Sequence, residues 1–406
     1  MIAGPLCRKA RSRATRRHLA GGLALAVFGA TVVSGCGADH ANGPSANAGI
    51  PAIRASLATS IETSAGYWAT VAMGHLDEPL NTFWQLLFRP TGAAAWSDRA
   101  SALAVATNGG LVVATQGGRS LVIGIRPSVD LEYSPLIATS DARSWTPSGP
   151  VDALADEPDA LAIAAGGEAM ALVGEGSAAR VLASRGRLAD WYRSVTEDEL
   201  ATSEAGRACG VVSLTAVGYA AGNGLVGANC RRDGVVGIFF AHANSWRLVG
   251  PVLARPWSNS DTDVLGLQAT KRGLCALVAA TPADSTDLVV ACTSGEDLNW
   301  KVSAALPLAA RQDVVSFGPA GDLGLYALVS GSSRRDTLAV LVESKMTWRS
   351  LPAPPSATAV VVFEAAGRVE ALSVADSMLT DWVLTGSAAW RKAQELHVAI
   401  QFGSSG

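Results

Sequence analysis

Ala102-Leu103-Ala104-Val105-Ala106-Thr107-Asn108-Gly109-Gly110-Leu111-Val112-Val113 and Ala160-Leu161-Ala162-Ile163-Ala164-Ala165-Gly166-Gly167 share one plan: a short apolar run that stops at a glycine pair. Runs of about four to eight residues closed by glycine read as strands and tight turns. The plan recurs along the chain as a run, a Gly-rich turn, a second run, a polar turn, a third run and then a tryptophan. The tryptophans are Trp96, Trp145, Trp191, Trp246, Trp300, Trp348 and Trp390, spaced by 49, 46, 55, 54, 48 and 42 residues. No stretch within 59–406 sustains a helical period, so the fold class read here is all-β.

A period of about 20–50 residues marks arrays such as propeller blades. Seven tryptophans predict a β-propeller of about seven four-stranded blades, set radially so that only short edges face water. Val398-Ala399-Ile400-Gln401-Phe402-Gly403-Ser404 reads as an innermost strand, and its outer partners read as Tyr67–Met73 and Phe83–Phe88. Pairing of N- and C-terminal strands is thus expected to close the ring. Two sandwiches of equal strand content offer no reason for a tryptophan to return seven times.

Thr139-Ser140-Asp141-Ala142-Arg143-Ser144-Trp145 and Ser294-Gly295-Glu296-Asp297-Leu298-Asn299-Trp300 resemble the Asp-box, or BNR, repeat of sialidase-like propellers. In that family the motif forms the turn between the third and fourth strands, and its indole packs between blades. The copies before Trp191, Trp348 and Trp390 are degenerate, with Arg185 and Arg187, Val342 and Ser344, and Leu384 and Gly386 at the motif positions. The catalytic pattern departs further. The family's first carboxylate-holding arginine lies in Phe/Tyr-Arg-Ile-Pro, whereas Phe88-Arg89-Pro90 lacks the Ile and is expected near an outer turn. The five tyrosines, Tyr67, Tyr133, Tyr192, Tyr219 and Tyr326, show no partnered nucleophile in the sequence. The resemblance implies an architecture and not its chemistry.

The N-terminal region carries an address. Arg8, Lys9, Arg11, Arg13, Arg16 and Arg17 precede an apolar stretch from Leu19 to Val33. That is a signal-peptide pattern, shorter than the ~20 residues a permanent membrane helix needs. Its end, Val33-Ser34-Gly35-Cys36, resembles the lipobox of bacterial lipoproteins, which implies cleavage before Cys36 and diacylglycerol on its sulfur, with further acylation of the new terminus. Arg16-Arg17 leaves Sec and twin-arginine export both open. The expected organisation is a signal peptide at 1–35, a lipidated cysteine and flexible tether at 36–58, and the propeller at 59–406. The expected location is the extracytoplasmic face of the cell membrane.

Without the six signal-peptide bases, 26 basic residues face 35 acidic ones, a balance of about nine negative charges that argues against nucleic acid as a partner. Cys209, Cys230, Cys275 and Cys292 remain in the exported region, and an even number there predicts two disulfides. Three pairings are open. Cys209 with Cys230 and Cys275 with Cys292 is preferred, because each pair brackets one turn between apolar runs, and each bridge would contribute ~3 kcal/mol in the chain-entropy account. The scattered histidines offer no metal-ligand spacing. Neither a metal nor a cofactor is expected.

Two turns, Arg231-Arg232-Asp233-Gly234 and Arg334-Arg335-Asp336-Thr337, follow the second strand of their repeats. Four guanidinium groups there could gather an anionic ligand at the channel mouth, or the two segments could be plain hairpin turns. Asp159, Asp263 and Asp313 each precede an innermost strand, where a carboxylate can bind a ligand, move a proton or cap its own turn. The reading is a monomeric, lipid-anchored, non-catalytic binding or assembly module whose partner is a cell-envelope protein or glycan. The alternative is a carbohydrate-active enzyme, a sialidase-like glycoside hydrolase or a lyase, working at the channel mouth.

Overall fold

The computed structural model describes residues 58–98 apart from 64 and 75–81, four short strands between 111 and 147, and residues 158–397 with short gaps. The signal peptide, Cys36, most of the tether, Trp145 with its Asp-box, Asp313, Arg334, Arg335 and residues 398–406 lie outside the described residues.

Among the described residues, seven antiparallel meanders follow one another along the chain. Unit 1 holds β1 (Ala58–Thr63), β2 (Gly66–Gly74), β3 (Thr82–Pro90) and β4 (Ser97–Asp98). Unit 2 holds β5 (Leu111–Ala114), β6 (Leu121–Ile125), β7 (Leu136–Thr139) and β8 (Thr146–Pro147). Unit 3 holds β9 (Pro158–Ile163), β10 (Ala169–Val173), β11 (Arg180–Ser184) and β12 (Trp191–Thr196). Two helices, α1 (Glu197–Thr202) and α2 (Glu204–Cys209), lead into unit 4, which holds β13 (Val211–Ala220), β14 (Asn223–Cys230), β15 (Gly237–His242) and β16 (Ser245–Leu248). Unit 5 holds β17 (Asp261–Thr270), β18 (Gly273–Thr281), β19 (Thr286–Thr293) and β20 (Trp300–Val302), with β21 (Leu306–Leu308) also on β19. Unit 6 holds β22 (Val314–Pro319), β23 (Gly324–Val329), β24 (Thr337–Val342) and β25 (Thr347–Pro352). Unit 7 holds β26 (Ala359–Ala365), β27 (Arg368–Ala375), β28 (Met378–Leu384) and β29 (Trp390–His397). Units 4 and 5 share one sheet through the pairing of Cys230 with Thr262.

Burial explains why the middle strands are apolar throughout while the last strands are not. Every residue of β23 is buried, and so is β18 between its end residues. A middle strand has a neighbouring unit on each face, so both sets of alternating side chains leave water, at about 1.5–3 kcal/mol for each large aliphatic group. On the outer strand β25 only Trp348 and Leu351 are half-buried. The first strands touch in order, β1 with β5, β5 with β9, β9 with β13, β13 with β17, β17 with β22 and β22 with β26, and β26 touches β1.

Five of the recurring tryptophans pack between their own unit and the one before it in the ring of contacts. Trp246 packs into the apolar cluster between units 3 and 4, Trp300 between 4 and 5, Trp348 between 5 and 6, and Trp390 between 6 and 7. Trp96 packs between units 7 and 1. Two of the indoles also donate to the end of the preceding unit's outer strand, Trp300 to the carbonyl of Val249 at 2.7 Å and Trp390 to that of Pro352 at 2.9 Å.

Three expectations are revised. The place beside β2 is taken by β1, so the four described strands of unit 1 are consecutive in the chain, while residues 398–404 lie outside the described residues. β1 begins at the boundary read between tether and propeller, in a segment where no particular strand was read. The chain also contains helix. Thr196 Oγ accepts from the Glu199 amide at 3.2 Å while the Glu199 carboxylate accepts from the Thr196 amide at 2.9 Å, a capping box that starts α1. Both disulfides pair as preferred, but only Cys275–Cys292 crosses a hairpin, between β18 and β19. Cys209–Cys230 fastens the end of α2 to the end of β14.

Candidate functional site

A groove of about 480 Å³ opens between units 3 and 4. On its unit 3 side, Met170, Ala183 and Tyr192 form a row across β10, β11 and β12, because Met170 pairs with Ala183 and Ala183 with Tyr192. Tyr219 and Gly224, paired across the turn from β13 to β14, face them from unit 4, with Ala241 beyond. Glu168, Ser184 and Ser194 complete the lining.

Small residues make the groove. A Cβ on Gly224 would lie 2.5 Å from the sulfur of Met170, so the thioether reaches the floor only because position 224 has no side chain. Ser184 is engaged by the fold, its Oγ accepting from the Ala169 amide at 3.1 Å. Tyr192 is 41% exposed at the rim, whereas Tyr219 is buried. Burial above all, then the Glu168 carboxylate and Tyr192, hold the Tyr219 phenol above its ordinary pKa. Tyr219 is therefore a protonated hydrogen-bond donor at neutral pH and not a phenolate nucleophile. The groove can offer aromatic faces, a phenolic donor and a carboxylate acceptor to a hydroxyl-rich or amine-bearing ligand.

The described residues among those singled out in the sequence, Arg231, Arg232, Asp159 and Asp263, are spread over units 3, 4 and 5. Arg231 and Arg232 are exposed in the turn from β14 to β15. Their amides donate to the carbonyls of Gly210 and Cys209, each at 3.0 Å, and Arg232 Nη1 donates to the Ala208 carbonyl at 3.1 Å. One guanidinium of the pair thus serves the C-terminus of α2. Asp159 is exposed on β9, and Asp263 is half-buried on β17, with β13 between the two strands. Burial, with Asp261 adding to it, pushes the Asp263 carboxyl up to about 6. Among the described residues Cys275, Cys292 and Glu343 group as metal ligands would, but the two sulfurs are bonded to each other.

Arg89 is buried in the contact between units 1 and 7 and is not at an open turn. Its Nη1 lies 2.5 Å from Glu370 Oε2 and 3.6 Å from Asp381 Oδ2, so the chain's own carboxylates hold the guanidinium that the sialidase resemblance would give to substrate. Three tryptophans outside the series also serve the fold. Trp68 packs on Phe88 with ring centroids 4.4 Å apart, Trp257 donates to Asp287 at 2.8 Å and Trp382 to Ser373 at 2.7 Å.

Tyr192, Tyr219 and Glu168 are the residues the sequence reading passed over as a site. The legible signal was the hairpin Tyr219-Ala220-Ala221-Gly222-Asn223-Gly224, which sets Tyr219 opposite a glycine. Nothing in the sequence shows that unit 3 brings Glu168 to it.

No family model and no curated protein matches the chain. Solved structures do. A candidate 6-phosphogluconolactonase from Bacteroides uniformis aligns over 81% of this chain and 96% of its own, with 11% identity and a TM-score of 0.51. The periplasmic gluconolactonase of Pseudomonas aeruginosa aligns over 82% of this chain and 96% of its own, with 12% identity and a TM-score of 0.49. The six-bladed fucose-recognising lectin of Aleuria aurantia aligns over 85% of this chain and 96% of its own, with 11% identity and a TM-score of 0.41. At such identities likeness speaks for the fold alone, and the fold is an all-β propeller.

Proposed function

We propose that this propeller is a non-catalytic binding module, tethered by lipidated Cys36 to the outer face of the cell membrane, that takes a cell-envelope glycan or protein segment in the groove between units 3 and 4. In this reading each meander is one blade, seven stand in a ring, and the tryptophans descend from Asp-box turns whose indoles stack blades. The observation that carries the proposal is the groove's chemistry: two phenols and one carboxylate converge, and the buried phenol, Tyr219, is held in its neutral, donating form. That set recognises and does not attack. A single carboxylate among the lining residues also lacks the partner that acid/base glycoside cleavage uses.

One observation favours the enzymatic alternative. Asp263, whose carboxyl is pushed up to about 6, has the proton affinity of a general acid. Pull-down from crosslinked intact cells separates the two. We expect Tyr192→Ala with Glu168→Gln to lose a specific partner that the wild type and Asp263→Asn both retain. Partner capture unchanged in the groove variant, or glycan cleavage that only Asp263→Asn abolishes, would overturn the binding reading. Cys36→Ser in the same experiment is expected to move the protein out of the membrane fraction.

A further inference from the structure

We infer that the contact between unit 1 and unit 7 is a proton-controlled clasp, firm in mildly acidic medium and loosened as the pH rises towards neutrality. Units 3 to 7 meet through the apolar clusters described above. The first and last units also meet through a buried charge cluster. Arg89 of β3 reaches across to Glu370 of β27 and Asp381 of β28, and all three residues are at most 4% exposed. Its guanidinium carbon lies 5.1 Å from the ring centre of Tyr67, 4.9 Å from that of Trp96 and 5.1 Å from that of Phe363, so aromatic faces close the remaining sides. Gln394 of β29 fixes the backbone of Trp96, accepting from its amide at 2.9 Å and donating to its carbonyl at 3.2 Å. These contacts join residues from both ends of the described chain.

The charge count is unbalanced. One guanidinium faces two carboxylates, and Asp381 Oδ1 is buried without a hydrogen bond. Burial, and after it the charge of Glu370, raise the Asp381 carboxyl to about 7, with Arg89 and the Trp96 indole pulling the other way. Among the described residues, β1 sets Glu62 in register with Tyr67 and β4 sets Asp98 in register with Leu87, and the remaining charged or titratable neighbours lie as follows. β27 brings Glu370, β3 brings Arg89, and β2 brings Tyr67 on the far side of the guanidinium. Opposite Asp381 on β29 stands the neutral Gln394, while Lys392 and Glu395 pair with each other at the surface. On β26 Phe363 faces the cluster, so Glu364 points to the other side of the sheet. On β27 Arg368 is exposed at the start of the strand.

The direction follows from linkage. The closed contact keeps a proton on Asp381 between about pH 4 and pH 7 that an opened or unfolded chain has released, so closure weakens as the pH rises through that window and is constant above it.

Amide hydrogen exchange, corrected for its intrinsic pH dependence, tests the clasp at several values between pH 5 and 8.5. Opening of β1–β3 and β26–β28 is expected to rise by up to about tenfold per pH unit to pH 7 and then level off, while β10 and β11 of unit 3 do not follow. Asp381→Asn is expected to flatten that rise, and Asp263→Asn to leave it intact. The clasp is refuted by pH-independent exchange at the contact, by exchange there that rises no more steeply than in unit 3, or by a rise that persists in Asp381→Asn. Should Asp381→Asn not fold, the comparison between units in the wild type decides alone.

Discussion

Arg89→Ala would leave Glu370 and Asp381 buried together with no cation between them. Breaking a buried ion pair by removing one partner typically costs about 3–5 kcal/mol, and here the cost is expected to be larger at pH 8 than at pH 5, where protonation relieves the stranded carboxylates. Urea unfolding at the two pH values checks it, and an equal loss at both would show that the carboxylates do not set the cost. This arginine shows what a sequence conceals. It was visible as part of a motif, but its partner lies 281 residues away, and no local pattern announces which carboxylate will meet it. Tyr219 was equally hidden, since its place in a groove depends on a unit whose own strands end at Thr196. Arg232 is another case: its guanidinium donates to the Ala208 carbonyl near the end of α2, a contact 24 residues back that the turn sequence does not announce.

Single elements were far more legible, because alternation and glycine punctuation are local. The middle strands sit where apolar runs predict them, and the tryptophans mark the outer strands of their units. What escaped was α1, whose Thr196 to Glu199 capping box is a written signal but whose helix is too short to show a period. The tryptophans also allow an internal comparison. The Trp300 indole donates to Val249, whereas the Trp348 indole nitrogen is buried without a partner. Phenylalanine at either position removes similar volume. Trp300→Phe forfeits a hydrogen bond worth about 1 kcal/mol, while Trp348→Phe removes a buried unmet donor, so Trp300→Phe is expected to be the more destabilising by about 1–2 kcal/mol. Equal losses in matched denaturant curves would mean that the indole hydrogen bond does not contribute.

At the scale of the whole molecule, Asp263 and Asp381 both hold their protons more tightly in the folded chain than in the unfolded one. Each contributes stability that is complete below its unfolded pKa and lost as the pH rises, through about 6 for Asp263 and about 7 for Asp381. Global stability is therefore expected to fall from about pH 4 to pH 7, and the Asp263→Asn, Asp381→Asn double variant to lose most of that slope in thermal scans. The overall architecture was readable from the period alone. The manner in which its ends meet was not, since a side-chain cluster leaves no mark that a strand-pairing rule would find. The stacking also has a polarity, units 1, 4, 5, 6 and 7 each presenting a tryptophan to the unit before and that unit offering the receiving face. Such a heterologous contact is satisfied within one chain when the circle closes and between chains when it does not. A molecule parted between units 1 and 7 carries a plug at one end and the matching socket at the other, so two parted copies are each other's natural binding partners, and a loosened seam is a route to swapped dimers and open chains.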